Sequence, residues 1–189
     1  IPTGLTAYNI EALDATTAWV IGLNNATPIS VLYKTTDGGQ MWTPQQSSTS
    51  PTTFLNAVRF YDANNGILIG DPEGGSFVIF TTTNGGSTWT QISSTNIPAP
   101  SSSEFGLTNN LAIWGSNAWF STTSGLVGGS PRIFRSTNRG RSWQISATVS
   151  YLTRGSELSS IAFASETAGL VQGLNGSVMR TTDGGLTWS

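Results

Sequence analysis

Thr35-Thr36-Asp37-Gly38-Gly39-Gln40-Met41-Trp42 returns three times along the chain, as Thr82 to Trp89 (TTNGGSTW), Ser136 to Trp143 (STNRGRSW) and Thr181 to Trp188 (TTDGGLTW). The closing Trp residues stand 47, 54 and 45 positions apart. Self-similarity at such a period is the signature of a repeat architecture, in which each copy is one supersecondary unit stacked on its neighbours. Inside each copy the Asp or Asn (Asp37, Asn84, Asn138, Asp183) can accept hydrogen bonds from the backbone of its own turn. The Gly two positions on (Gly39, Gly86, Gly140, Gly185) tolerates positive φ. Trp42, Trp89, Trp143 and Trp188 then supply a large apolar plate, so the segment reads as a structural clip.

The flanks extend this reading. Runs such as Phe77-Val78-Ile79-Phe80 precede the turns, and runs such as Trp89-Thr90-Gln91-Ile92 follow the first three, which is a hairpin signature. A second pattern recurs upstream: Ala18 to Gly22, Gly66 to Gly70, Ala118 to Thr122 and Gly169 to Gly173. Before it lie runs that suit an innermost strand, Leu5 to Ile10, Ala57 to Tyr61, Leu111 to Trp114 and Ser160 to Ala164. Three strands, the turn and a fourth strand make one blade of a propeller. The expectation is therefore an all-β chain forming a single β-propeller region over 1–189. Its four-stranded antiparallel blades fall at about 4–50, 51–100, 105–150 and 158–189, the last strand being truncated. Open blade edges favour a larger ring with further blades in a longer parent, a closed ring of four being the alternative.

The four segments resemble the Asp-box, or BNR, repeat of sialidases, xyloglucan hydrolases and photosystem II assembly-factor-like propellers. Met41 departs from the usual Ser or Thr, and Arg139 from a common Gly. The stretch Gly70-Asp71-Pro72-Glu73-Gly74-Gly75-Ser76-Phe77-Val78-Ile79, running into the box at Thr82, is most similar to the photosystem II assembly/stability factor-like proteins, including bacterial relatives. That resemblance implies a non-catalytic propeller that binds another protein. It also implies that the boxes sit away from any active face.

Function is thus expected at the opposite end, on the irregular connections 23–30, 71–76, 94–109, 123–131 and 149–157, because loop variation on a rigid scaffold is where binding lives. Were the chain a fragment of a sialidase-like or xyloglucanase-like hydrolase, its acid pair would come from Asp71, Glu73, Glu104 and Glu157. The plainer reading is that these are solvated turn residues, with Asp71 turning the chain ahead of Pro72. Arg132, Arg154, Tyr151 and Trp114 are the candidate ligand contacts, Trp114 from an innermost strand. Arg132, Arg135, Arg139 and Arg141 line one hairpin as a basic stripe or a solvated surface, and Trp19 and Trp119 are assigned to packing between blades.

Composition narrows the classes. The chain has no His and no Cys, which removes the commonest neutral-pH base, thiol nucleophiles and most zinc sites. Calcium stays open, since Asp-rich loops can take it, but the acids are too scattered to argue for a site, and no metal or cofactor is assigned. A net charge of −2 gives no field for nucleic acid, and no run is long and apolar enough to span a membrane. Only 10% of residues are charged, against about 25% in an average domain, which suits an extracytoplasmic bacterial protein, secreted or at the cell surface. The expected function is an extracytoplasmic module binding a protein or glycan. The alternatives are the hydrolase fragment and a spacer in a surface adhesin.

Overall fold

Among the described residues, fifteen short strands are laid down where β-branched and aromatic residues alternate with polar ones, and Gly- and Asn-rich turns separate them. The computed structural model describes residues 3–124, 131–148 and 158–189. Strands β1 (Leu5–Ala12), β2 (Ala18–Asn24), β3 (Ser30–Thr35) and β4 (Thr43–Ser47) form the first sheet in that order. The second is β5 (Leu55–Phe60), β6 (Gly66–Glu73), β7 (Ser76–Thr82) and the two-residue β8 (Thr90–Gln91). The third is β9 (Glu104–Trp114), β10 (Asn117–Ser124), β11 (Arg132–Ser136) and β12 (Gln144–Thr148). In the fourth, β13 (Leu158–Phe163), β14 (Gly169–Gly173) and β15 (Val178–Thr181) are joined by a single further rung, Arg180 and Ser189 exchanging backbone hydrogen bonds at 2.8 and 3.0 Å. Every pairing is antiparallel, and each sheet is an up-and-down propeller blade. The inner strands pack in chain order, β1 on β5, β5 on β9 and β9 on β13.

The clip has one mechanism throughout. In the first box the Thr35 hydroxyl accepts from the amides of Gly39 (2.9 Å) and Asp37 (3.3 Å) and donates to Asp37 Oδ1 (2.8 Å). Asp37 Oδ1 in turn accepts from the Met41 amide at 3.0 Å. Thr82–Asn84–Thr88, Ser136–Asn138–Ser142 and Thr181–Asp183–Thr187 repeat the pattern. Met41 is tolerated because the box uses its backbone amide, not its side chain. Arg139 takes the position of Gly38, Gly85 and Gly184 at φ 60°, an unfavourable conformation for a side chain. It lies over Tyr61 at 5.9 Å and pairs with Asp62 at 3.3 Å, contacts with the preceding blade that hold it there. The indoles of Trp42, Trp143 and Trp188 donate to the carbonyls of Gly39, Gly140 and Gly185. Thr82→Val is expected to cost about 1–3 kcal/mol by denaturant unfolding, because it keeps the volume but strips the buried Gly86 amide and the part-buried Asn84 amide of their acceptor.

Packing between blades follows from the second strand. Trp19 is fully buried and stacks on Phe60 of the next blade with centroids 3.6 Å apart, and Trp119 stacks on Phe163 in the same way. At the equivalent place Ile67 lies close to Gly140: a Cβ there would come within 2.4 Å of its Cδ1, and φ of 79° would strain any side chain besides. Trp19 and Trp119 therefore pack between blades, as the repeat position predicts.

The sequence reading needs two corrections. Residues 104–109, expected within a loop, belong to β9, which pairs Glu104–Gly106 with β10 beyond a register shift. Asp71 is not a turn residue. It lies within β6, whose turn to β7 is made by Gly74 and Gly75, at φ 60° and 84°.

Candidate functional site

Each inner strand carries a bulge at about the same height. The register slips at Tyr8 in β1, at Asn56 in β5, beyond Gly106 in β9 and at Ser159 in β13. A bulge re-aims a side chain out of the regular alternation. Tyr8, Asn56 and Thr108 from three different blades thereby line one cleft of about 310 Å³, with Thr6, Leu23, Phe54 and Asp71 completing it. It lies at the end of the blades away from the boxes. The size is that of a small-ligand or side-chain pocket.

Its polar centre is Asp71. The Oδ1 atom accepts from Asn56 Nδ2 at 2.7 Å and from the Gly106 amide at 3.0 Å, tying blade 2 to blade 3. Burial raises the pKa of this carboxyl, with those hydrogen bonds opposing the shift. Beside it the Tyr8 hydroxyl donates to the Leu55 carbonyl at 2.8 Å, and burial pushes the phenol up to about 12, so it stays neutral. Next to Tyr8, the buried Asn9 ties blade 1 to blades 2 and 3: its Oδ1 accepts from the Val58 amide at 3.1 Å and its Nδ2 donates to Asn109 Oδ1. Phe54 presents an exposed ring at the rim. A partly desolvated carboxylate between an aromatic ring and a neutral phenol suits hydrogen-bond donors attached to an apolar group.

The other sequence candidates do not join this cleft. Glu104 is buried and saturated. It accepts from Arg132 Nε at 2.9 Å and from a terminal Arg132 nitrogen, from the Ser101 amide at 2.8 Å and hydroxyl at 3.1 Å, and from the Thr122 hydroxyl. Burial alone would raise its pKa, but the hydrogen bonds from Arg132, Thr122 and Ser101 together with the Arg132 charge hold it below the ordinary glutamate range. Arg132 also donates to the Ala99 carbonyl at 3.0 Å and lies over Phe134 at 4.9 Å. It is a structural cation. Arg135 lies over Trp119 of its own blade at 6.0 Å and Arg139 pairs with Asp62 of the preceding one, so two residues of the expected basic stripe are drawn into packing contacts, and Arg141 is exposed. Glu73 is exposed at the end of β6 and accepts from the Thr49 hydroxyl at 2.6 Å.

Trp114 closes β9 at its far end, ten residues from Glu104, beside the turn into β10, and is 45% exposed. That is the box end, so Trp114 and Arg132 do not form one surface. Tyr151, Arg154 and Glu157 lie outside the described residues. Among the described residues no three His, Cys, Asp or Glu side chains come together as metal ligands, and no helix is long and apolar enough to cross a membrane. Sequence reasoning singled out Asp71 but missed Tyr8, Asn56 and Phe54, because a bulge leaves no composition signal.

The profile of the photosynthesis system II assembly factor YCF48 family matches residues 1–112. No curated protein sequence matches the chain. Among solved structures, one described as YCF48 bound to D1 peptide is 18% identical, with a TM-score of 0.51 over all of this chain and 69% of that one. The GH74 enzyme of Niastella koreensis is 16% identical at a TM-score of 0.59, and the GH74 xyloglucanase of Xanthomonas campestris 12% identical at 0.60. Each of these matches takes in 98% of this chain, which spans only 30% and 38% of the two enzymes. At such identities the likeness establishes the propeller fold and no activity.

Proposed function

This chain belongs to the family of the photosynthesis system II assembly factor YCF48, and on that premise we propose that it is a non-catalytic propeller module whose bulge-lined cleft binds a segment of another protein. The observation that carries this reading is the convergence of Tyr8, Asn56, Asp71 and Thr108 from three blades on one cleft with an exposed Phe54 at its rim. The D1 peptide bound by the YCF48 relative supports a peptide as the class of ligand. In this reading the Asp71 carboxylate takes a donor of the segment, a backbone amide or a cationic end, while Phe54 and Leu23 cover the adjoining apolar side chain. The low charge and the Ser, Thr and Asn content support a place outside the cytoplasm of a bacterium, in the periplasm or at the cell surface.

The GH74 neighbours keep one second reading open. Asp71, with its raised pKa, has the character of a general acid, so in a hydrolase it is the residue that would protonate a leaving group. One experiment separates the two: the purified chain is passed over an arrayed peptide library and an immobilised glycan panel, and retention and released sugar are read together. Peptide retention is expected, weakened at least about tenfold by Asp71→Asn, a loss of roughly 1.4 kcal/mol. Retention on glycans alone would make the module a lectin, released sugar would make it a hydrolase, and silence on both supports would leave a spacer.

A further inference from the structure

Asp71 is held by donors on one carboxylate oxygen and left open on the other. Its Oδ1 accepts from Asn56 Nδ2 at 2.7 Å and from the Gly106 amide at 3.0 Å, which fills both lone pairs of that atom. The fit depends on glycine, because a Cβ on Gly106 would run into Asn56 Nδ2 and the carboxamide could no longer reach the carboxylate. The Phe54 amide adds a weaker pull on the carboxyl group, and Oδ2 forms no hydrogen bond among the described residues. Phe54, Asn56 and Asp71 belong to blade 2 and Gly106 to blade 3, blades with a neighbour on either side, so the opening at Oδ2 owes nothing to the outer faces of blades 1 and 4.

No cation answers this carboxylate from within the chain. The ion pairs among the described residues are Arg59 with Glu11, Arg132 with Glu104 and Arg139 with Asp62, so the buried Glu104 has its arginine and Asp71 has none. The rest of the cleft wall is uncharged, with Tyr8, Leu23 and Phe54 facing the same space. A partly desolvated carboxylate in such walls repels an anion and gains nothing from an apolar group, whereas a cation restores the interaction it lost with water. The filled Oδ1 also decides which cation. A guanidinium makes its strong pairing as a fork across both oxygens, and only one is free; an ammonium is a point charge that needs one. The Tyr8 and Phe54 rings add a negative face to the pocket, which attracts a cation within about 6 Å.

We infer that the cleft takes a primary ammonium group on an aliphatic stem, supplied by a lysine side chain of the bound segment, which narrows the peptide-binding reading above and rests on it. The ammonium donates to Asp71 Oδ2, and the methylenes of the stem lie against Phe54 and Leu23. Of the donors that could meet Asp71, a neutral backbone amide leaves the charge unanswered, so the lysine sets the specificity of the site.

The test is retention of the chain on matched peptides that differ at one residue, Lys, Nε-acetyl-lysine, norleucine, Arg or Glu, each made with an acetylated and with a free amino terminus. Lys peptides are expected to be held at least about tenfold more tightly than their acetyl-lysine and norleucine partners, the worth of one hydrogen bond to a charged group. Asp71→Asn should abolish the preference, because it keeps an oxygen for Asn56 and Gly106 but turns an NH2 group toward the ligand. Near-UV circular dichroism reports whether that variant keeps its packing; should it fail to fold, the comparison of Lys with acetyl-lysine on the wild-type chain carries the test. A requirement for a free amino terminus in place of lysine, lost in Asp71→Asn, upholds the ammonium site with the chain end as its source. Retention that ignores acetylation of the lysine, or that favours Arg or Glu, overturns the inference and leaves peptide binding standing. A lysine preference that survives in folded Asp71→Asn also overturns it, because the charge is then met elsewhere. Retention of no peptide at all removes the peptide-binding reading, and the ammonium site with it.

Discussion

Trp119→Ala is expected to lower the unfolding free energy by about 3–5 kcal/mol, the cost of deleting a fully buried aromatic ring from a core that cannot collapse around the hole. The ring is the plate between blades 3 and 4. One face stacks on Phe163, whose edge meets Trp188, and the indole NH satisfies the Gly184 carbonyl. Removing it empties the contact and strips a box carbonyl of its donor at once. For a chain of this size the shift in melting temperature is roughly 10 °C, read by calorimetry. Trp119→Phe loses the NH and part of the ring but keeps the rest of the stack, so its cost falls to about 1–3 kcal/mol. A loss below about 1 kcal/mol for the Ala variant would mean that the blades do not depend on one another through these positions.

Glu104→Gln should also be severe, because Arg132 is largely buried and would keep its charge without a counter-ion. Breaking a buried pair from one side costs about 3–5 kcal/mol. Removing both charges together, as Glu104→Leu with Arg132→Met, should recover most of that loss, since a buried pair is close to neutral against apolar residues of similar volume. The same pair sets a pH dependence. The folded pKa of Glu104 lies below its unfolded value near 4.5, so the unfolded state takes up the proton first and stability falls with pH. The contribution is full above that value and is lost as the pH drops through the lower, folded one. Wild type should therefore lose stability below about pH 4.5 more steeply than Glu104→Gln, whose penalty is already present at neutral pH.

Asp71 has the opposite sign. Its folded pKa is raised by burial, so the folded state holds its proton longer, and the ionised carboxyl costs stability as the pH rises through the unfolded value toward the folded one. Asp71→Asn keeps an oxygen for Asn56 and Gly106 and removes the buried charge, and at neutral pH it should leave stability unchanged or higher. A residue that costs stability where it stands and yet lines the cleft fits a ligand-binding role.

Most of the architecture was legible because the box is a local motif. Thr35, Asp37, Gly39 and Trp42 lie within eight residues, and each makes its bond inside that window. The interblade Trp19 and Trp119 could be assigned from repeat position alone. What the sequence hid is non-local or depends on a slip of register. The cleft joins Tyr8, Asn56 and Thr108, about 50 residues apart from one to the next, through bulges that no composition signal marks. The polar, Pro-containing stretch before Asn110 reads as loop, yet from Glu104 onward it pairs with β10, and Glu104 is fixed by an arginine 28 positions away. Pro72 makes Asp71 look like a turn residue in the sequence, but the strand runs on through Glu73 with the turn left to two glycines.

Amide hydrogen exchange, followed with and without a peptide retained from the array, tests the central claim most directly. Added protection is expected around the bulges of β1 and β5, residues 5–9 and 54–57, and at 104–108 of β9, with the boxes unchanged. Protection confined to the box end, or none at saturating peptide, would contradict a binding cleft at Asp71.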